Sequence, residues 1–225
     1  MDTVKIVLLG APASGKGTQS ALLSDHFEIP AVSTGVVIRR EIEKRSELGI
    51  LAKELLRQGK LLTDEATLKI VETWIDNEIV AADGFLFDGF PRTVAQGRAF
   101  QEILKRRGLS LDAVIYLTAT RETIEERVLG RLQCERCGNV YRASQSVSAG
   151  SSCGACGKGE LSRRSDDKPA MLAKRMDEYE EKTAPLVPFY QEHAPGLLKT
   201  IDGNQSADRV FEAICKALAN SKATI

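Results

Sequence analysis

The apolar run VKIVLL at 4–9 passes without a spacer into GAPASGKGT at 10–18, and Gln19 to Phe27 then carries helical apolar periodicity. A loop between a buried strand and a helix start turns backbone N–H groups and the positive end of the helix dipole onto one spot. A phosphate fits there. The glycines permit positive φ and close approach of backbone to oxygen, and Lys16 is within reach of β and γ phosphates. The pattern G-x-x-x-x-G-K arises by chance in unrelated turns; the strand before it and the helix after it give it weight. The candidate phosphate cradle is Gly10, Ala11, Ala13, Ser14, Gly15, Lys16, Gly17 and Thr18.

Further along, short apolar or β-branched runs recur at 29–33, 85–88, 113–118 and 197–202. Between them lie stretches of helical period, Asp64 to Val80, Val94 to Arg107 and Arg121 to Leu132. This alternation predicts an α/β fold, a parallel sheet with helices on both faces. At 225 residues, 43% apolar and 28% charged, the chain can build one main core with modest insertions, and two full domains would be a tight fit. Thirty-one basic residues balance thirty-one acidic ones, so any anion binding is local rather than a property of the whole surface. The N-terminal apolar run is too short for a secretory or membrane segment, which predicts a cytoplasmic protein without membrane contact.

Residues 133–165 interrupt the alternation. They are rich in Gly, Ser and Cys, and they hold Cys134, Cys137, Cys153 and Cys156 in the spacing C-x2-C-x15-C-x2-C. Four thiolates close a tetrahedral site with no open position, which makes it structural rather than catalytic. Zinc and iron both suit four sulfurs; a metal-free polar loop and oxidised pairs are the alternatives. A segment that buries little apolar area gains stability from such a metal, and it reads as an inserted mini-domain. A nucleic-acid module would need basic residues interleaved with aromatics, whereas 134–162 hold one aromatic, Tyr141, and few charges. The fifth cysteine, Cys215, sits at helical spacing with Val210, Phe211, Ile214 and Leu218 and reads as core filling.

The G-K-G-T ending of the loop resembles that of nucleoside monophosphate kinases. With it, in order, come STG at 33–35 followed by Arg39, DGFPRT at 88–93 followed by Gln96, RVLGR at 127–131, RRSDD at 163–167, KR at 174–175, TAPL at 183–186 and IDG at 201–203. Across the whole chain, this series resembles the adenylate kinase family. The resemblance implies a three-layer P-loop fold with a five-stranded parallel sheet. The core would comprise 1–33, 65–130 and 169–225, with a helical monophosphate-binding segment at 34–64 and a lid at 131–168. In some members that lid carries a zinc ribbon. It implies a monomer that interconverts ATP plus AMP with two ADP, using Mg2+ and a structural Zn2+.

Residue by residue, the resemblance implies that Arg39 and Arg92 hold the monophosphate. Arg127, Arg131, Arg164 and Arg175 would surround the triphosphate and the transferring group, with Arg127 also against the ATP adenine. Thr34, Gly35, Gly89, Arg92, Gln96, Arg164 and Arg175 would contact AMP. Asp88, closing the strand FLFD, would orient Mg2+ waters, and it also suits the first position of the turn DGFP. Related UMP/CMP kinases tend to read SAG where this chain has Ser33-Thr34-Gly35. Gln96 can make a two-point contact with the Watson–Crick edge of adenine, so AMP is favoured over UMP and CMP. Gly35, Gly59 and Gly130 lie near segment boundaries as hinge or turn glycines.

Three positions depart from the family pattern. Val36 stands where a carboxylate is usual, Ala13 where a third loop glycine is usual, and Lys168-Pro169-Ala170 replace a polar, Glu-containing stretch. Ala13 is tolerable there with a negative φ or modest strain, and Pro169 suits the first position of a helix. Val36 predicts weakened Mg2+-dependent turnover. Val36 and Ala13 together motivate an alternative, a relative that binds adenine nucleotides as a sensor without turning them over.

Overall fold

In the computed structural model the first apolar run forms β1 (Lys5–Gly10), which leads into α1 (Lys16–Phe27), β2 (Ala31–Ser33), α2 (Glu47–Arg57), α3 (Asp64–Trp74) and β3 (Phe85–Asp88). The chain continues through α4 (Val94–Arg106), β4 (Ala113–Thr118), α5 (Arg121–Gly130) and three short strands, β5 (Arg131–Cys134), β6 (Val140–Arg142) and β7 (Leu161–Ser162). It ends with α6 (Pro169–Glu178), a π-helical turn at Tyr179–Thr183, α7 (Leu186–His193), β8 (Leu198–Asp202) and α8 (Ala207–Lys222). The structure describes residues 4–35, 38, 42–43, 45–57, 62–76, 84–164 and 167–222.

β1 is central in a five-stranded sheet of order β2-β3-β1-β4-β8, and every pairing in it is parallel. Because side chains alternate across a strand, Val7 and Leu9 join one buried cluster with Phe85, Phe87 and Val114, while Ile6 and Leu8 join the other with Leu86, Ala113 and Ile115. Both faces are apolar, so both need covering. On the first face lie α4 and α7, contributing Phe100, Ile103, Leu186 and Tyr190. On the second lie α1 and α8, contributing Leu23, Val210, Ile214 and Leu218, with Cys215 packed half-buried beside them as expected. Phe87 meets Phe85, Phe90 and Phe100 at ring distances of 5.2–5.6 Å. Each such ring, fully buried, stabilises the fold by about 1.5–3 kcal/mol.

One expectation is corrected. The helix expected over 121–132 stops at Gly130, and β5 begins at the next residue, where Arg131, Leu132 and Gln133 pair antiparallel with Arg142, Tyr141 and Val140. Leu132 fits a helical period, but its burial is against Cys134, Cys153 and Leu161 in the inserted segment. The helix expected over 64–80 is described as α3 to Trp74 with a π-type continuation at 75–76, and 77–80 lie outside the described residues. Pro169 takes the helix-start position expected of it, with Lys168 as N-cap. Among the described residues no helix is long and apolar enough to cross a membrane.

Candidate active site

β1 delivers Gly10 to the carboxyl edge of the sheet with φ 147°, and a Cβ there would lie 2.5 Å from the Leu117 carbonyl oxygen. Gly15, at φ 108°, is the N-cap of α1 and offers no side-chain cap, so the first-turn N–H groups depend on another acceptor. Ala13 takes φ 58°, in the left-handed region. The tolerable negative φ is not what it adopts; a non-glycine residue carries the backbone strain there. Lys16 folds back along the loop, its ammonium donating to the carbonyls of Gly10 at 2.7 Å and Ala11 at 2.8 Å.

Burial draws the Lys16 ammonium down to about 8; Asp88 opposes that shift, and the charges of Arg92, Arg175 and Arg131 reinforce it. These groups reach the loop from separate elements. Asp88 ends β3 and is paired in register with Leu8 of β1 and Ser33 of β2. Its Oδ2 lies 3.7 Å from where a Gly17 Cβ would stand. Arg92 follows β3, Arg131 opens β5 and Arg175 is on α6. One carboxylate and three guanidiniums therefore act on one ammonium.

Arg92 is positioned through its own backbone as well as its side chain. Its N–H donates to Gln96 Oε1 at 2.8 Å, its carbonyl accepts from the Thr183 hydroxyl at 2.9 Å, and its Nε donates to the Gly89 carbonyl at 2.8 Å. The same Gly89 carbonyl accepts from Thr34 Oγ1 at 3.0 Å. Burial lowers the Arg92 guanidinium from its ordinary value. Gln96 is 1% exposed, and its Nε2 donates to Asp64 Oδ1 at 2.7 Å. Gly35 lies beside Thr34, half-buried. Arg39, Val36 and Gly59 lie outside the described residues.

Arg131 donates through Nε at 2.7 Å and through Nη2 to the two oxygens of Asp167, whose side chain is 4% exposed. Arg175 Nη1 lies 3.7 Å from the same carboxylate. Arg163 is exposed and donates to the Leu129 carbonyl of α5 at 2.6 Å, and Arg164 is half-buried. Arg127 donates to the carbonyls of Ser14 at 3.0 Å and Gly203 at 2.6 Å, bracing the phosphate loop against the turn after β8. Asp64 lies outside every motif named above, and Asp167 and Thr183 lie within RRSDD and TAPL with no role drawn for them there. Their side-chain hydrogen bonds reach partners at least 29 positions away, and Asp167 also lies 3.7 Å from Arg175.

The four cysteines come together as their spacing predicted. Their sulfurs lie within 4.8 Å of one another, with Cys134 and Cys156 at 3.7 Å and Cys137 and Cys153 at 3.5 Å. Tetrahedral zinc with Zn–S near 2.3 Å has sulfurs about 3.8 Å apart, so the donor set fits Zn2+. Gly159 lets the second knuckle close over the first, since a Cβ there would stand 2.4 Å from Cys134 Sγ. Tyr141 bonds to Cys153 Sγ at 3.2 Å, drawing that thiol down to about 6. β5, β6 and β7 form the small sheet that carries the site.

The adenylate kinase family model matches residues 8–195. An adenylate kinase of Caldanaerobacter subterraneus is 42% identical over 220 residues, covering 97% of this chain and 98% of the relative. One of Moorella thermoacetica is 42% identical over 219 residues (96% and 98%), and one of Magnetococcus marinus is 40% identical over 216 (96% and 100%). With the loop, the arginines and the parallel sheet in place, these matches over nearly the full length make the chain a member of the adenylate kinase family of phosphotransferases.

Proposed function

We propose that the chain reversibly transfers the γ-phosphoryl group of Mg-ATP to AMP, giving two ADP. The observation that carries this reading is the convergence of Asp88, Arg92, Arg131 and Arg175 on the Lys16 ammonium at the carboxyl edge of the sheet. Phosphoryl transfer asks for in-line positioning and neutralisation of spreading charge more than for covalent help. Lys16 exchanges its loop carbonyls for β and γ oxygens, and the uncapped start of α1 donates N–H groups to the same phosphates. Arg92, with Arg39, holds the AMP phosphate as the attacking group. Arg131, Arg164 and Arg175 close on the equatorial oxygens of the group in transit, where a planar fork binds bidentately. Mg2+ enters as part of the substrate and neutralises the β,γ oxygens, and Asp88 is the carboxylate that accepts from its waters.

Gln96 reads the AMP base and Arg127 faces the ATP adenine. The residues at 34–64 form the monophosphate-binding segment and those at 131–168 the lid, held by Zn2+ on Cys134, Cys137, Cys153 and Cys156. A single chain supplies every group the reaction uses, which supports a monomer, and four cysteines placed for a metal rather than paired as disulfides support a reducing, cytoplasmic setting. The test is diphosphate formation by the purified protein with Mg-ATP and, separately, AMP, CMP, UMP and GMP. ADP formation with AMP alone is the expected result. Absence of turnover with every acceptor, in folded metal-loaded protein, overturns the reading in favour of a nucleotide-binding sensor.

A further inference from the structure

Gln96 can be turned either way about its terminal amide, and the two orientations present opposite orders of donor and acceptor. Two neighbours settle the choice by their chemistry. The Arg92 backbone N–H can only donate, and it meets Oε1 at 2.8 Å. The ionised Asp64 carboxylate can only accept, and its Oδ1 meets Nε2 at 2.7 Å. Asp64 is itself pinned: its Oδ2 accepts from the Thr93 hydroxyl at 2.9 Å, and that hydroxyl oxygen accepts from the Gln96 backbone N–H at 3.1 Å as the cap of α4. Asp64 opens α3 at its first position, where a carboxylate is favoured by the helix dipole.

We propose that Asp64 is a specificity-determining residue for the acceptor nucleotide, locking the Gln96 amide in the one orientation that reads adenine and rejects guanine. The inference rests on Gln96 reading the base. One N–H and one oxygen lone pair of the amide are taken by Asp64 and Arg92, leaving one of each for a ligand. Adenine offers an acceptor at N1 and a donor at its 6-amino group; guanine offers a donor at N1 and an acceptor at O6. An amide matched to the first sets N–H against N–H and oxygen against oxygen with the second. A free glutamine would flip to suit guanine, but here the flip turns Oε1 onto a carboxylate and Nε2 onto an N–H. At 1% exposure the amide is oriented before any base reaches it.

The experiment compares wild-type protein with D64N, whose amide both donates and accepts, which removes the carboxylate's half of the lock and leaves only the Arg92 N–H against the flip. The readouts are kcat/KM for AMP and for GMP at saturating Mg-ATP, with calorimetric binding of each monophosphate. D64S, whose hydroxyl also gives and takes, serves if D64N does not fold. The expected result is a fall of at least about tenfold in the AMP-over-GMP preference, with KM for ATP unchanged. An equal loss for AMP and GMP, preserving the ratio, marks Asp64 as merely structural and overturns the proposal. Wild-type protein that does not act on AMP overturns the parent reading first; wild-type activity with an unchanged ratio in both variants overturns this inference alone.

Discussion

Asp167 grips Arg131 across the base of the inserted segment, both carboxylate oxygens accepting from one guanidinium. Arg131 is the first residue of β5 and Asp167 lies just before α6, so the pair joins the two ends of the insertion. With side chains 14% and 4% exposed, solvent screens it little. Arg175 shares the carboxylate, so Asp167 orients two of the arginines that act on Lys16.

Replacing Asp167 with Asn leaves Arg131 half-held. Unfolding free energy from urea titration is expected to fall by about 2–4 kcal/mol. Because the arginines lose their fixed geometry, kcat falls on the order of 10- to 100-fold. Unchanged kcat in D167N would sink the orienting role.

Lys16 gives the nucleotide site a pH dependence. Its proton is lost in the free protein as pH rises through about 8, whereas the phosphates of bound ATP favour the ammonium. ATP binding therefore takes up a proton above pH 8, and Kd rises by up to about tenfold per pH unit there. The folded pKa is below the unfolded one, so the cost of burying this charge is full below pH 8 and shrinks to nothing by 10.5, and folding stability rises with pH across that window. Calorimetric Kd for ATP measured from pH 7 to 9.5 checks the first claim, and K16M should flatten the profile.

A metal on the four cysteines would supply what the insertion's small core cannot. Leu132, Cys134, Cys153 and Leu161 are its buried cluster, too few to hold a fold unaided. Chelation is expected to expose 135–160 to limited proteolysis while fragments of the sheet core stay resistant. G159A, which drives a methyl group onto Cys134 Sγ, should reduce bound zinc well below one per chain by elemental analysis.

Ala13 sits at φ 58°, where a Cβ costs about 1–2 kcal/mol, while glycine costs roughly 0.4–1 kcal/mol of unfolded-chain entropy. The two nearly offset. A13G should leave stability unchanged or raise it by up to about 1 kcal/mol, in contrast to Ala→Gly in a helix interior, which costs roughly 0.5–1 kcal/mol. Thermal melts of the pair decide it.

The strands were legible because burial on both faces leaves unbroken apolar runs: the run at 113–118 is β4 residue for residue. The apolar period of α1 starts at Gln19, three residues after the helix itself, because Lys16, Gly17 and Thr18 carry no apolar pattern. Local pattern also brought the four thiols and the Lys16 loop into view. It could not reach Asp64 with Gln96, 32 positions apart, or Arg131 with Asp167, 36 apart, since nothing in a carboxylate's neighbours tells which distant amide or guanidinium it will meet.

The insertion leaves the core at Gly130 and returns near Asp167, and cross-ties gather at that neck: Ala143 N–H to the Gly130 carbonyl at 2.7 Å, Arg163 to Leu129 at 2.6 Å, and Arg131 to Asp167. None of its strands belongs to the five-stranded sheet. The four-cysteine ribbon is thus a cassette: a longer or shorter segment there leaves the register of every core strand as it is, provided it starts with an arginine and ends with its carboxylate.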